Sequence, residues 1–346
     1  MNYLFELPFG GCTADEGRIG KNIKCEIERE KGKFNEYNGF IDSNEIQNDI
    51  EGFLRNKKYS VTFFETYGKC PYRFLMDYIL NIQGMERDIK EFTPLDKGNI
   101  FHQVLKEYYI SHKKDFEKHV SGEKAFDMNS IPSEIEKRVV SILKSNGVKN
   151  INKVWQIRIN SIADSIIKLI DSDLKRIVQG GEKLLPYDFE VEFGKDYDFP
   201  LNLKDRTINI MGKIDRLDKF YGDEKYVIYD YKTSSYGIRN IDDITKGISF
   251  QLPVYIMSQK NKNIVAGAYI IISNGNVRFQ IVKEEGRKLF GPKRRSGILK
   301  PEEWTSIMNT EIENMNNYLN NMEEGDFSIN PRECDDYCPY REICRY

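Results

Sequence analysis

Near the middle of the chain stand three polar residues, Asp215, Asp230 and Lys232, whose types suit one kind of chemistry. Mg²⁺ and Mn²⁺ prefer oxygen ligands, and Mg²⁺ commonly takes one or two carboxylates and completes its shell with water and substrate phosphate. An ammonium beside them can orient an attacking water and offset charge that develops on phosphorus. The set reads as a site for metal-assisted phosphodiester hydrolysis, against the alternative of a solvated strand face. His102, in Gly98-Asn99-Ile100-Phe101-His102, is a further candidate metal ligand. It borders an apolar helical stripe, where a packing role is the alternative. A second chemical group closes the chain. Cys334, Cys338 and Cys344 stand close together in irregular sequence, and Cys70 makes a fourth thiol. Four thiolates can hold a 4Fe–4S cluster or a structural Zn²⁺. Cys12 and Cys25 have no ligand-like spacing and read as ordinary free thiols.

The elements that must position these residues follow from periodicity. Ile208, Ile210 and Ile214 alternate with polar residues up to Asp215. Tyr221-Gly222-Asp223-Glu224 has turn chemistry, and Tyr226 to Lys232 is a second strand. The sequence thus predicts a β-hairpin in which Asp215 ends the first strand and approaches Asp230 and Lys232, which share one side of the second. Upstream, Thr62 and Glu65 form a candidate capping box that starts a helix, and Cys70-Pro71 interrupts it. Phe101, Val104, Leu105 and Tyr108 mark the buried stripe of another helix, which carries His102. Two helices divide residues 134–179 near Asn146-Gly147 and end at Gly180-Gly181. Phe189 to Phe193 alternate as a strand whose Glu190 and Glu192 face either the site or solvent. Residues 241–257 read as one helix with Gln251 and Tyr255 on one face. A second hairpin surrounds Asn274-Gly275, and Pro301 opens a last helix.

Composition narrows the class. The 346 residues are 40% hydrophobic and 31% charged, an ordinary globular balance. No apolar run reaches membrane-spanning length, and the first residues lack the marks of a signal peptide, so the expectation is a cytoplasmic protein with no membrane partner. For the same reason the six cysteines do not suggest a disulfide framework. No Gly-x-x-x-x-Gly-Lys-Ser/Thr loop occurs, so the chain by itself is no P-loop ATPase. A net charge of −2 means that contacts to DNA would need local positive charge. Residues 283–300 supply it, above all Lys293, Arg294 and Arg295; a solvated loop is the other reading.

Taken in order, SVTFFETYGKCPYRF, GNIFH, GKIDRLD, DYKTS, QLPVY and the closing cysteine group resemble the motifs of the RecB-like branch of the PD-(D/E)XK nuclease superfamily. The resemblance is to its AddB-type form with an iron–sulfur cluster, and it covers about residues 60–346. It implies a divalent-metal-dependent DNA nuclease of repair or recombination, acting on single strands or ends beside a helicase subunit or domain. A CRISPR-adaptation exonuclease and a non-catalytic DNA-binding scaffold are the alternatives. It implies that His102, Asp215, Asp230 and the Tyr231 carbonyl hold Mg²⁺ or Mn²⁺, that Lys232 is the catalytic Lys, and that Gln251 and Tyr255 lie beside the reaction. Cys70, Cys334, Cys338 and Cys344 become the ligands of a 4Fe–4S cluster. Here Asp335, Asp336 and Tyr337 separate Cys334 from Cys338, one residue more than such relatives commonly have. The implied fold is mixed α/β: a central mixed β-sheet flanked by helices, a restriction-endonuclease-like core whose ends the cluster staples. Residues 1–59 resemble a linker-like N-terminal extension and residues 60–346 the nuclease domain.

Overall fold

The computed structural model describes residues 16–30, 35, 37–55, 57–82, 92–179, 183–196, 198–289 and 297–344. In chain order the helices are α1 (Glu16–Glu30), α2 (Asn44–Arg55), α3 (Val61–Lys69), α4 (Pro71–Phe74), α5 (Pro94–Ser111), α6 (Lys113–Ser121), α7 (Ile131–Ser145), α8 (Lys153–Gln179), α9 (Ile241–Thr245), α10 (Gln251–Ser258), α11 (Pro301–Glu323) and α12 (Arg341–Cys344). The strands are β1 (Lys58–Ser60), β2 (Leu184–Phe193), β3 (Pro200–Asn202), β4 (Thr207–Phe220), β5 (Lys225–Lys232), β6 (Asn263–Ile271), β7 (Asn276–Lys283) and β8 (Ile298–Leu299).

The chain divides into two units, one of residues 1–57, 66–84 and 317–346, the other of residues 58–65 and 85–316. The N-terminal stretch is grouped with the two segments that carry Cys70, Cys334, Cys338 and Cys344.

The larger unit holds an eight-stranded mixed sheet with the path β1-β4-β5-β6-β7-β8, and β2 and β3 also pair with β4. β4 and β5 are the expected antiparallel hairpin. β6 returns parallel to β5 after the α9–α10 crossover, and β7 runs antiparallel to β6. β5 and β6 are buried along nearly their whole length, as strands covered on both faces are. Stripes from α5, α7 and α8, including Phe101, Val104, Val139, Ile166 and Ile170, share one apolar core with Tyr229, Tyr231 and Ile270 of the sheet. Burial of that surface, at about 25 cal/mol per Å², is the main force that seats these helices.

The smaller unit packs Phe74 face to face with Phe327, ring centroids 6.1 Å apart, and sets Tyr67 edge-on against both. The Tyr67 hydroxyl donates to the Asp326 carbonyl at 2.6 Å. Pro71 breaks the helix after Cys70 as expected, and the chain restarts as α4 and a π-helical turn, Leu75–Ile79.

Three local expectations change. β4 runs on to Phe220, so Asp215 lies inside the strand and not at its end. Apolar alternation stops there because the next inward residues, Arg216 and Asp218, are buried charges that satisfy each other. α3 starts before Thr62, with Ser60 Oγ accepting the Phe63 N–H at 3.3 Å, so Thr62 and Glu65 sit within the helix and do not form its capping box. Residues 241–257 form two helices, because Gly247 takes φ +70° just past α9, a conformation that stops a helix. Cys12, Gly180-Gly181 and the basic triplet Lys293, Arg294 and Arg295 lie outside the described residues. Among the described residues no helix is long and apolar enough to cross a membrane.

Candidate active site

The site forms where the β4–β5 ladder stops. Paired residues run from Lys219 and Tyr226 to Arg216 and Tyr229. At the next step Asp215 Oδ2 accepts the Tyr231 N–H at 2.7 Å, a side chain standing in for a strand partner. On the other side of β4, the pairs Phe189–Arg216 and Val191–Ile214 place Glu190 across from Asp215. Glu190 has φ +54°, a left-handed conformation uncommon outside glycine, and such strain is often kept at functional positions. α5 brings His102 to both carboxylates, with Nδ1 3.2 Å from Asp215 Oδ1 and 3.3 Å from Glu190 Oε1. One ligand atom from each of His102, Glu190 and Asp215 lies within 4.8 Å of the others. They line an open cleft of about 630 Å³ together with Lys106 and Lys213.

Asp230 and Lys232 stand beside this trio. Lys232 Nζ is 2.7 Å from Asp230 Oδ2 and donates to Gln251 Oε1, also at 2.7 Å. The Asp230 contact is close in distance but off the angles of a hydrogen bond, which leaves that buried oxygen unsatisfied. Burial pushes the Asp230 carboxyl up to about 6; Asp215 adds to the rise and Lys232 opposes it. Burial alone would lower the basicity of His102, but its hydrogen bonds with Asp215 and Glu190 win and push the imidazole up to about 10. Burial also acts against charge on Lys232, and Asp230 outweighs it and keeps the ammonium. Tyr255 is buried with its ring 5.9 Å from Phe193, and burial together with the charges of Asp230 and Asp215 keeps its phenol protonated.

The family profile of the PD-(D/E)XK nuclease superfamily matches residues 58–345. The chain belongs to this superfamily. Asp215, Asp230 and Lys232 all lie within the matched residues. Curated relatives named as subunits of an ATP-dependent helicase/deoxyribonuclease include that of Exiguobacterium sibiricum, 24% identical over 356 residues, which cover 84% of this chain and 30% of the relative. That of Clostridioides difficile is 25% identical over 68% of this chain and 21% of its own, and that of a Thermoanaerobacter species 26% identical over 57% and 17%. The chain therefore spans less than a third of the length of these relatives. Among solved structures, the crystal structure of SSO0001 aligns with 86% of this chain and 93% of its own at 13% identity and a TM-score of 0.28, too loose a match to carry an argument.

Of the residues singled out in the sequence, the fold brings His102, Asp215, Asp230, Lys232, Gln251 and Tyr255 close to one another. Tyr231 meets Asp215 through its N–H and sets its ring edge-on to His102 at 5.5 Å. Glu190 and Lys213 complete the site beyond those assignments. Strand alternation could place Glu190 on β2 but not choose its face. Lys213, two residues before Asp215, pairs with Glu190.

The cysteines lie in the smaller unit. Cys70, Cys338 and Cys344 pack against one apolar cluster of Tyr72, Met76 and Tyr340. Cys70 Sγ accepts the Arg73 N–H at 3.4 Å. Cys334 is exposed, yet its chain is tied nearby: the Arg332 and Glu333 N–H groups both donate to the Lys69 carbonyl, at 2.8 and 3.2 Å. The Tyr340 hydroxyl fastens the C-terminal turn to Asp77 Oδ1 at 2.6 Å and to the Ile82 carbonyl at 2.7 Å.

Proposed function

We propose that this chain is the divalent-metal-dependent nuclease part of a helicase–deoxyribonuclease, cutting DNA strands or ends during repair or recombination in the cytoplasm. The observation that carries the reading is the convergence of His102, Glu190 and Asp215 beside the buried Asp230–Lys232 pair. The relatives' names favour a helicase-linked role over a CRISPR-adaptation exonuclease.

The donor set fits Mg²⁺ or Mn²⁺: carboxylate oxygens and one imidazole nitrogen, with a buried Asp230 oxygen lacking a hydrogen bond. His102, Asp215, Asp230 and the Tyr231 carbonyl would hold the cation, with Glu190 as a further ligand. When bound, it would polarise the scissile phosphate and acidify an attacking water. Lys232, fixed between Asp230 and Gln251, keeps a donor to orient that water. Purified protein should digest labelled DNA in Mg²⁺ or Mn²⁺ and leave 5′-phosphates. Asp230→Ala and Lys232→Ala should each reduce cleavage by at least about a hundredfold. Cleavage that persists in EDTA, or in either variant, removes the assignment.

We infer that Cys70, Cys334, Cys338 and Cys344 hold a 4Fe–4S cluster, with Zn²⁺ as the other occupant that four thiolates suit. The common packing of Cys70, Cys338 and Cys344 and the donor at Cys70 Sγ fit a thiolate site. The role would be structural, closing a loop of the chain. Anaerobically purified protein should be brown with about four iron and four sulfide per chain. Cys→Ala at any of the four should bleach it, and Cys25→Ala should not. Colourless protein with one zinc would give the site to Zn²⁺.

The Lys293, Arg294 and Arg295 triplet stays a proposed phosphate contact along the DNA path.

A further inference from the structure

The hydrogen bonds behind Lys232 lead to a residue outside the PD-(D/E)XK motif. α10 opens at Gln251, and Phe250, at its N-cap position, has no side-chain group to cap it. A helix start leaves its first N–H groups unpaired and carries partial positive charge, so an acceptor is wanted there. Glu65 supplies it from α3, nearly two hundred residues away in sequence. Its Oε1 accepts the Phe250 N–H at 3.0 Å and the Gln251 N–H at 3.3 Å. The same Gln251 then accepts from Lys232 Nζ.

We propose that Glu65 is a positioning residue of the active site: it pins the first turn of α10 and through Gln251 Oε1 sets the direction of the Lys232 ammonium. The inference rests on the nuclease reading for its catalytic consequence, though not for its geometry. Glu65 touches no reacting atom. A displacement of about 1 Å in a group that aligns a nucleophile can slow a reaction by about a hundredfold. Loss of Glu65 should therefore act on turnover and leave substrate affinity alone.

Three variants separate positioning from the alternatives. Glu65→Ala removes the acceptor and should lower kcat on single-stranded DNA by roughly ten- to a hundredfold, with KM and the Mg²⁺ requirement little changed. Glu65→Gln keeps an Oε1 acceptor without the charge and should restore turnover to within a few-fold of wild type. If the charge of Glu65 mattered and its hydrogen bonds did not, Glu65→Gln would be as slow as Glu65→Ala, which overturns the proposal. Gln251→Ala added to Glu65→Ala should cost little beyond the larger single effect, because both break one relay. Additive losses also overturn it. If Glu65→Ala does not fold, Glu65→Met keeps the volume while removing the acceptor. The relay is read without turnover from protein carrying ¹³Cε-lysine in EDTA, with the Lys232 signal assigned through Lys232→Arg. The charge of Glu65 also acts on Lys232, so the signal should move in both variants but clearly further in Glu65→Ala, which loses the hydrogen bonds as well; equal movement in the two sinks the relay. Wild-type protein that cuts no DNA defeats the nuclease reading, and the spectrum still decides on Glu65.

Discussion

Asp215 and Arg216 are neighbours on β4, and the two buried charge clusters they anchor are built differently. Arg216 is fully enclosed. It grips Asp218 with two bonds, Nε to Oδ1 at 2.6 Å and Nη2 to Oδ2 at 2.9 Å. Its Nη1 meets Asp173, which also takes Arg176 and the Tyr109 hydroxyl. The rings of Tyr109 and Tyr229 cover the guanidinium at 4.7 and 5.6 Å. Two carboxylates meet two guanidiniums, and the charges cancel. Burial opposes the charge on Asp173, but Arg176 and Arg216 outweigh it and hold its carboxyl below the usual range. Around Asp215, three carboxylates, Glu190, Asp215 and Asp230, face two ammoniums, Lys213 and Lys232. Among these five groups the negative charge is in excess, and the hydrogen bonds of His102 with Asp215 and Glu190 favour a proton on its imidazole. One cluster is complete with its own side chains; the other lacks a positive charge and holds a proton in its place. A cation site needs that deficit, and a structural network avoids it.

The largest effect should come from breaking the balanced cluster. Arg216→Met leaves Asp173 and Asp218 enclosed without their partner, and removing one side of a buried ion pair costs about 3–5 kcal/mol. Urea denaturation should show a loss of that size. Asp218→Leu added to Arg216→Met should recover part of it, since fewer stranded charges remain. An Arg216→Met protein within about 1 kcal/mol of wild type would erase the contrast, because one ordinary hydrogen bond accounts for that much.

The two clusters were unequally legible in the sequence. The hairpin was readable because Ile208, Ile210 and Ile214 alternate and residues 221–224 have turn chemistry. The His102 helix was readable from its apolar stripe, and Asp230 and Lys232 from their spacing. The Arg216–Asp218 pair was not, since periodicity equates buried with apolar and so ended the strand at Asp215. Glu190 needed the β2–β4 register and its own positive φ to choose a face. Glu65 was misplaced for a related reason. A local rule assigned it to the start of α3, whereas its carboxylate caps α10, a partner no local rule can see. The motifs marked Asp215, Asp230 and Lys232 in the sequence, and tertiary register set Glu190 and Glu65 beside them.

A smaller effect, of opposite sign, should appear in the deficient cluster. In metal-free protein the Asp230 carboxyl is pushed from 3.8 up to about 6, by burial first and by Asp215 next, against the pull of Lys232. An acid raised in this way holds its proton more tightly folded than unfolded. Between about pH 4 and pH 6 the folded chain keeps a proton that the unfolded chain has released, so stability falls as pH rises through that window and stays lower above it. Asp230→Asn cannot ionise and escapes the loss. In EDTA the variant should match wild type near pH 4 and exceed it by roughly 1–3 kcal/mol near pH 8, while DNA cleavage is abolished. A divalent cation should narrow the gap by stabilising folded wild type, which keeps the full ligand set. The measurement is urea denaturation from about pH 4 to pH 8, with and without Mn²⁺. Equal stability of the two proteins at pH 8 in EDTA would mean that Asp230 bears its charge at no cost, and the site would then be as balanced as its neighbour.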